Sequence, residues 1–445
     1  MNEALTRHLL LPLHERLRRR TTIDYYAELR RQDDLAAAEV AGLRESKLVA
    51  LLEHCRDRVP WYREIFRDRG LNSSEAPGPE TLAELPILER DQIRAHGEEM
   101  VADGYHDHVL PANTGGSSGE PLVLRTDRIK EARHNAHKLH FRNWFGIRPG
   151  DRQVDFWGSP IEWNKQTRLR VWKDRYLLNQ VILSAFNLSE SRLDGHVHFL
   201  RAFRPRLVYG YPTVIDRVAQ HVLERPGCLA SWHPRAVVCT SEMLHDHQRE
   251  RIATAFDAPV ANEYGARDGG IIAHECGQGT LHLAAQQVWV EVDQPDADGV
   301  GDLLITNLDG WGMPLLRYRI GDRGSLATAQ CPCGSPLPSL ATLAGRSNDF
   351  LVGRDGRLVH SLGPIYVLRE LPNVRQFRLD QRPDWSLSLS LVVTEPMNDE
   401  EIDALRRRLQ AVLELEVPVE VQFTDTIEPE PSGKYRFVRS EALSA

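Results

Sequence analysis

The first strongly periodic stretch of the chain covers residues 35–59. Apolar side chains recur there at three- and four-residue steps, at Val40, Leu43, Leu48, Leu51, Leu52 and Cys55. This spacing places them on one face of an α-helix, and Pro60 directly afterwards is a typical stop signal. The pattern predicts a helix over 35–59 that packs by its apolar face.

From about residue 110 to residue 325 the pattern changes to short β-rich runs that alternate with charged helical stretches. The runs read VLRTD, RLVYGY, AVVCTSE, APVANEYG, QVWVEV and DLLITNL, and residues 245–256 form one of the helical stretches. Such alternation predicts an α/β domain with parallel strands. Between residues 288 and 326 the runs follow one another without long helices, which predicts a β-rich subdomain.

The end of the chain has a strand–helix–strand pattern of its own. The run LSLSLVVT alternates as a strand does, and VPVEVQF predicts a second strand. Between them, Asn398 is a suitable N-cap for a helix that starts at Asp399 and carries apolar residues at helical spacing. We therefore expect an α/β fold with a large N-terminal domain over residues 1–346. It consists of α/β subdomains and a β-rich subdomain, followed by a small α+β domain over residues 347–445.

Composition narrows the class of protein. The chain has 445 residues, of which 41% are apolar and 27% charged, as in ordinary globular proteins. It carries 55 Lys and Arg against 63 Asp and Glu, a net charge of −8, so sequence-independent nucleic-acid binding is not expected. No run approaches the ~20 apolar residues of a membrane span. Six cysteines in so long a chain predict no disulfide framework, which favours a cytoplasmic protein.

The N-terminus has an apolar run over residues 9–13 followed by Arg16, Arg18, Arg19 and Arg20. A secretory signal places its basic residues first, so this order does not predict one. Two interpretations remain, an amphipathic helix on a membrane surface and a basic helix end packed on the main body. The second is favoured.

Five loops carry residues that could bind a ligand or take part in a reaction. Residues 113–122, NTGGSSGEPL, concentrate glycine and serine, and consecutive N–H groups in such a loop can form an anion site. Residues 315–324 place Asp322 in a Gly-Asp turn, where its carboxylate can accept two vicinal hydroxyls. Residues 262–270, NEYGARDGG, bring Glu263 and Asp268 to either side of Tyr264. The segments GRSNDF (345–350) and PSGKYRF (431–437) complete the set. Taken alone, each motif is more typical of an ordinary polar loop.

The order of these motifs is more specific than any one of them. TGGSSGEP, TSE, NEYGARDGG, GMPLLRYRIGD, GRSND and PSGK follow one another along the chain. In this order the sequence resembles the adenylate-forming superfamily of acyl-CoA synthetases and ligases. Within it, the chain is most similar to the branch of phenylacetate–CoA ligase and the ligases of capsular-polysaccharide clusters, from about residue 35 onwards.

The resemblance implies an ATP- and Mg²⁺-dependent enzyme that turns a carboxylate into an acyl-adenylate with release of pyrophosphate. The acyl group then passes to a thiol, such as that of coenzyme A, or to an amine. The implied phosphate loop is Thr114, Gly115, Gly116, Ser117, Ser118 and Gly119. The implied adenine- and ribose-binding residues are Ser241, Glu242, Asn262, Glu263, Tyr264, Gly265 and Asp322. The implied catalytic residues are Asp268 as the Mg²⁺-linked acid, Arg346 beside the interdomain hinge and Lys434 on the mobile domain.

Two positions depart from the family pattern. Many relatives carry Lys where this chain has Glu120, which removes positive charge from the phosphate loop. Asp268 stands where the family usually has Glu, so the carboxylate is kept on a side chain one methylene shorter.

Four residues predict a structural zinc site. Cys331 and Cys333 can direct two thiolates to one face, and Cys276 and His282 form a C-x5-H pair upstream. Three thiolates and an imidazole make a closed tetrahedral set. The resemblance also implies zinc, because relatives in this branch carry a similar arrangement; buried free cysteines are the alternative.

The acyl substrate is expected at YGYPT, where Tyr209 and Tyr211, together with Trp157, supply an aromatic wall. His134, His137 and His140 recur in a predicted helix but lack a suitable carboxylate or cysteine partner, so no metal is assigned to them. Monomer and homodimer both remain open.

The function expected is therefore an AMP-forming acid–thiol ligase acting on a small carboxylic acid. A first alternative keeps adenylation but transfers the acyl group to an amine without coenzyme A. A second is a non-catalytic relative that binds nucleotide or zinc; Lys434 and Asp322, which are both present, argue against it.

Overall fold

A computed structural model describes residues 2–71, 76–113, 123–157, 168–185, 188–266, 269–344, 350–353, 358–371, 373–413, 417–427 and 437–442. The chain begins with helices that pack against the later sheet. They are α1 (Glu3–Leu5), a π-helical turn (Thr6–Leu10), α2 (Leu11–Leu17), α3 (Thr22–Arg31), α4 (Ala37–Arg58), α5 (Pro60–Asp68), α6 (Pro79–Glu84) and α7 (Arg90–His96). The predicted helix over 35–59 is confirmed as α4, and it buries Val40, Leu48, Leu51, Leu52 and Cys55.

The centre of the molecule is an eleven-stranded sheet. Before it, β1 (Val109–Asn113) and β2 (Val123–Asp127) form a separate antiparallel pair. The sheet's strands are β3 (Gln153–Trp157), β4 (Gln180–Ser184), β5 (Leu207–Gly210), β6 (Ala236–Thr240), β7 (Val260–Ala266), β8 (Gly270–Glu275), β9 (Leu281–Leu283), β10 (Val288–Asp293), β11 (Gly301–Asn307), β12 (Tyr318–Leu326) and β13 (Ser339–Ala344). Their spatial order is β10-β11-β12-β13-β9-β8-β7-β6-β5-β3-β4.

This sheet changes character at β7. Strands β4, β3, β5, β6 and β7 pair in parallel, which confirms the predicted α/β region. From β7 onwards every neighbour is antiparallel. The β-rich residues 288–326 therefore continue the same sheet as its antiparallel half, because β8, β9 and β13 bridge them to the parallel strands.

Helices cover the parallel half of the sheet. They are α8 (Arg128–Asn143), α9 (Arg168–Tyr176), α10 (Glu190–Phe203), α11 (Pro212–Leu223) and α12 (Asp246–Phe256). One face of the strands packs Val154, Val208 and Val237 against α10, α11 and α12. The other face buries Val238 and its neighbours. Burial on both faces explains why runs such as AVVC are continuously apolar.

The C-terminal residues have their own core. Their elements are β14 (Phe350–Val352), β15 (Leu358–His360), α13 (Leu362–Arg369), β16 (Val374–Gln381), β17 (Leu387–Val393), α14 (Asp399–Leu413), β18 (Val419–Phe423) and β19 (Val438–Ser440). Four of the strands form a sheet in the order β18-β17-β16-β19. Asn398 caps α14 as predicted, since its Oδ1 accepts from the Glu401 amide at 2.9 Å.

The described members of this C-terminal core run from Leu351 to Val438, and the cluster includes no earlier residue. Its composition agrees with a separate small domain. The predicted boundary between residues 346 and 347 falls within 345–349, outside the described residues, and stays a prediction. Among the residues described, no helix combines the length and apolar character that a bilayer span requires.

Candidate active site

A cavity of about 410 Å³ opens at the carboxyl ends of the parallel strands. This edge of an open α/β sheet is where ligands usually bind. The strands contribute Trp157, Tyr209, Thr240, Glu263, Gly265 and Ala266 to its wall, and Ser241, directly after β6, also lines it. Helix α8 faces them across the cavity with Lys130, Glu131, His134 and Lys138. Residues predicted for the nucleotide and residues predicted for the acyl group thus line a single cavity.

The aromatic wall is a stack of three rings. Trp157 lies parallel to Tyr211, with ring centroids 4.6 Å apart, and to Tyr209 at 5.9 Å. Trp157 and Tyr209 line the cavity, whereas Tyr211 is not part of its wall and is buried in the α10–α12 core. Tyr211 therefore holds Trp157 in place from behind.

A buried carboxylate lies at the centre of the wall. Glu263, 3% exposed, accepts a hydrogen bond from the Tyr209 hydroxyl at 2.7 Å, and its Oε1 lies 3.8 Å from the Lys138 Nζ. Burial alone would raise its pKa, but the positive charges of Lys138 and Arg142 and the Tyr209 hydrogen bond outweigh burial and lower the pKa of Glu263 to about 2. Glu263 is therefore ionised at neutral pH.

Replacing Lys138 with methionine should destabilise the protein by about 3 kcal/mol, because a buried carboxylate then loses its nearest cation. Urea unfolding followed by circular dichroism measures the loss. The matched control is Arg63→Met, which breaks the half-exposed pair with Asp103 and should cost less than about 1 kcal/mol.

The Lys138–Glu263 pair also makes the stability of the protein depend on pH. Because the pKa of Glu263 is lower in the folded protein than its ordinary value of 4.5, its contribution to stability is present above pH 4.5. That contribution is lost as the pH falls towards 2. A Lys138→Met protein as stable as the parent at pH 7 would contradict this account of the pair.

The cavity also contains hydrogen-bonding groups that no described residue satisfies. Both polar atoms of the fully buried Gln287 side chain lack a partner there, as does Oε2 of Glu263. The His134 Nδ1 accepts from the Ile271 amide at 3.0 Å. Burial and the charge of Lys138 lower the pKa of His134 to about 3, so its ring is neutral and carries its proton on Nε2.

Glycine is required beside these groups. Gly270 has a φ of +80°, and a Cβ there would lie 2.5 Å from the Gln287 Nε2 and 3.4 Å from the His134 Nδ1. A side chain at this position would fill the polar end of the cavity.

The residues predicted to bind adenine and ribose are connected by Tyr264. Its neighbours Glu263 and Gly265 line the cavity, and its hydroxyl donates to the Asp322 Oδ2 at 2.9 Å. Asp322 lies on β12 and is largely buried. Ser241 follows β6 with a φ of +71°, a conformation uncommon for a residue with a side chain and frequent at binding sites.

Glu242 and Asn262 are sequence neighbours of lining residues but, like Tyr264 and Asp322, are absent from the cavity wall. Glu242 Oε2 accepts from the Thr213 amide at 3.3 Å and from its hydroxyl at 2.5 Å, at the start of α11. The backbone N–H of Asn262 donates to the Glu275 Oε2 at 2.7 Å, and Glu275 forms an ion pair with Arg249. These bonds tie the chain after β6 to the start of α11, and β7 to the end of β8.

Several predicted site residues lie outside the described part of the chain. They are the phosphate loop Thr114, Gly115, Gly116, Ser117, Ser118 and Gly119, together with Asp268, Arg346 and Lys434. Their assigned roles stay predictions.

The four predicted zinc ligands come together between β8, β9 and the loop before β13. The ligand atoms of Cys276, His282, Cys331 and Cys333 all lie within 4.8 Å of one another. The Cys276 and Cys331 sulfurs are 3.7 Å apart, and the Cys333 sulfur is 3.3 Å from the His282 Nε2. Two sulfurs bound at about 2.3 Å to a tetrahedral zinc ion lie roughly 3.8 Å apart, so the cluster fits zinc.

The surroundings of the cluster suit thiolates. The backbone N–H groups of Gln278, Cys333 and Ser335 each point at the cysteine sulfur two residues earlier, with an N–S distance of 3.4 Å. The His282 Nδ1 lies 3.0 Å from the Leu337 carbonyl oxygen, which fixes Nε2 towards the sulfurs. Burial opposes ionisation, yet the Thr280 hydroxyl and neighbouring donors lower the pKa of the Cys331 thiol to about 6, whereas burial and the adjacent Cys331 and Cys276 raise the pKa of the Cys333 thiol to about 11.

Sequence reasoning did not single out Lys130, Lys138 or Gln287 as lining residues. The signal for the lysines was available: Lys130, His134 and Lys138 are spaced by four residues, which places them on one face of a helix. No sequence signal marks Gln287, because only the sheet brings it beside β7.

Comparison with known proteins supports the resemblance seen in the motifs. The chain is 25% identical over 428 residues to protein CapK of Staphylococcus aureus, covering 95% of this chain and 93% of that protein. It is 24% identical over 410 residues to a phenylacetate–coenzyme A ligase of Thermus thermophilus, covering 86% and 89%. No family model matches.

Among solved structures, the chain resembles 2-hydroxyisobutyryl-CoA ligase with a TM-score of 0.61 at 18% identity, covering 93% of this chain and 92% of that one. That structure holds its acyl-adenylate and coenzyme A. The fold is thus that of the adenylate-forming ligases. In sequence the chain is similar to members of the phenylacetate–CoA ligase-like branch of these ligases.

Proposed function

We propose that this protein is an AMP-forming acid–thiol ligase, which activates a carboxylic acid with ATP and transfers the acyl group to coenzyme A. One observation carries the proposal. Residues predicted for adenine (Ser241, Glu263 and Gly265) and residues predicted for the acyl group (Trp157 and Tyr209) line one cavity at the carboxyl ends of parallel strands. An acyl-adenylate needs both subsites side by side.

The described residues have definite roles in this proposal. Asp322, oriented by Tyr264, accepts hydrogen bonds from the ribose hydroxyls. Trp157 and Tyr209 pack against the acyl group and keep water from the adenylate. Fixed groups of this kind act mainly by positioning the carboxylate and the α-phosphate.

In this proposal, residues outside the described part of the chain complete the site. The loop over 114–119 would hold the β- and γ-phosphates of ATP, and Asp268 would help to hold Mg²⁺, which would offset their negative charge. Lys434, in the proposed domain over 347–445, would reach the carboxylate and the α-phosphate during adenylation, and Arg346 would act beside the proposed hinge.

We further propose that the acid carries a hydrogen-bonding group away from its carboxylate. The unsatisfied amide of Gln287 and the Nε2–H of His134 offer acceptors and donors to such a group, while the stacked rings suit a flat one. A purely apolar acid would leave these buried groups without partners, which costs binding energy.

A pyrophosphate-release screen tests the function and the substrate class together. Phenylacetate and 4-hydroxyphenylacetate, and matched aliphatic acids with and without a terminal hydroxyl, are compared with and without coenzyme A. We expect the hydroxylated acid of a pair to have the higher kcat/KM, by about tenfold or more. Gln287→Leu should reverse or abolish that preference while activity with the apolar acid remains.

The screen separates the alternatives. Thioester formation identifies coenzyme A as the acceptor, whereas adenylation that needs an added amine supports amide formation. If no acid releases pyrophosphate, the non-catalytic alternative replaces this proposal.

We also propose that Cys276, His282, Cys331 and Cys333 hold one structural Zn²⁺. All four positions of a tetrahedral ion are then filled by protein, so the ion stabilises the loop before β13 and takes no part in catalysis.

A further inference from the structure

The N-terminal helical segment, residues 3–17, packs on the protein by its polar side. Glu3 forms ion pairs with Arg152 and Arg206, and the Arg7 guanidinium pairs with Asp151. Thr6 is fully buried and accepts a hydrogen bond from Asn179 at 3.1 Å. An ordinary surface helix buries its apolar side and exposes its polar one. This segment does the reverse.

The apolar side of the segment faces solvent. Leu5, Leu9, Leu13 and Leu17 recur at four-residue steps and are 42%, 56%, 50% and 76% exposed. Fifteen helical residues extend over roughly 20 Å, so the four leucines form a continuous ridge. Polar anchors on the opposite side hold this ridge outward in a fixed orientation.

Helix α9 extends the ridge into a wider apolar surface. Its Lys173 Nζ lies 3.4 Å from the His14 Nε2, which places α9 beside α2. Val171, Trp172 and Tyr176 on α9 are each more than two-fifths exposed. Seven of the thirteen large apolar side chains that are exposed in the described residues thus belong to the N-terminal helical segment and α9. A cluster of this kind marks an interaction site.

The charge around this surface is positive, although the whole chain has a net charge of −8. Residues 1–20 contain five arginines against two glutamates, and residues 168–176 contain four basic residues against one aspartate. Arg16, Arg18 and Arg19 are exposed at the end of the leucine ridge. Within the described parts of the chain, no carboxylate lies within ion-pair distance of these three.

We propose that the leucine ridge, with α9 and the arginines, is a docking surface for an anionic lipid bilayer. Leucine and tryptophan enter the boundary between headgroups and acyl chains, and the arginines lie at the level of the anionic headgroups. The helix lies in the plane of the interface and does not cross the bilayer. The ligase cavity is on the same chain, so the enzyme would work at a membrane surface.

Vesicle flotation with the full-length protein tests the proposal. We expect the protein to float with vesicles of phosphatidylcholine and phosphatidylglycerol, to bind pure phosphatidylcholine more weakly, and to be released by added salt. Leu9→Glu/Leu13→Glu should lower the partition coefficient by about tenfold or more. Replacing Arg16, Arg18 and Arg19 by glutamine should lower it by a similar factor on the anionic vesicles alone.

The matched control is Leu223→Glu/Phe423→Glu, which alters two exposed apolar residues elsewhere and should bind as the parent does. Thermal unfolding shows that each variant is folded. The proposal is overturned if the parent protein does not bind anionic vesicles. It is also overturned if the Leu9→Glu/Leu13→Glu variant binds them as strongly as the parent does. Light scattering that finds a dimer which this variant converts to a monomer overturns it as well, because the ridge would then bind a second copy.

Discussion

Lys434→Ala is expected to lower carboxylate-dependent pyrophosphate release by about 10²–10³-fold, the usual cost of removing one preorganised charge donor from a reaction centre. The proposed ammonium lies between two anions, the carboxylate and the α-phosphate, and attracts both as the new bond forms. Without it, the two anions repel each other. The measurement is a coupled pyrophosphate assay with the best acid from the substrate screen.

Two controls show whether the lower rate comes from the adenylation step itself or from a general effect of removing a positive charge. Arg407→Ala removes one exposed cation from the same C-terminal domain and should leave the rate within about twofold. The Lys434→Ala protein should also still convert preformed acyl-adenylate and coenzyme A into the thioester, because that step does not need the lysine. Unchanged pyrophosphate release in this variant would disprove the proposed mechanism.

Removal of the zinc site is expected to have the second largest effect. Purified without chelator, the protein should contain about one equivalent of zinc, and Cys276→Ser should reduce this below about a tenth of an equivalent. The variant should lose at least about 3 kcal/mol of unfolding free energy, since binding a structural metal contributes directly to folding. Atomic absorption gives the metal content, and urea unfolding gives the stability.

Cys228→Ser is the matched control. Cys228 is a half-buried free cysteine outside the cluster, so its replacement should change neither zinc content nor stability measurably. A parent protein with less than a tenth of an equivalent of zinc would show that the four ligands form a metal-free cluster of thiols and imidazole.

The structure changes the interpretation of the N-terminus. The sequence favoured a basic helix end packed on the main body, and the helix does pack there. The side that packs is polar, however, and the leucines remain outside. Hydrophobic periodicity places residues on a common face but does not say which face meets the protein. Glu3, Thr6 and Arg7 find their partners on segments more than 140 residues away.

The sequence by itself determined the local secondary structure of this protein and the order of its motifs along the chain. Periodicity located α4, α14 and three of the five parallel strands, β5, β6 and β7, because helices and strands impose fixed spacings on apolar residues. The strands β3 and β4 were not among the predicted runs, and VLRTD forms β2 of the separate antiparallel pair. The order of six motifs revealed the resemblance to the adenylate-forming ligases, whose fold the chain shares. The pairing of Cys276 and His282 with Cys331 and Cys333 was also anticipated from ligand chemistry, although β9 and β13 must meet for the four to converge.

Only the tertiary structure decided which side chains meet across the sheet. It placed Lys138 and His134 opposite Tyr209 and Glu263, and it brought Gln287 to the polar end of the cavity. It also joined the β-rich residues to the parallel strands in one sheet. These contacts depend on strand order and on the position of α8 over the sheet. Neither is encoded in local spacing, because each results from the burial of surfaces that are distant in sequence.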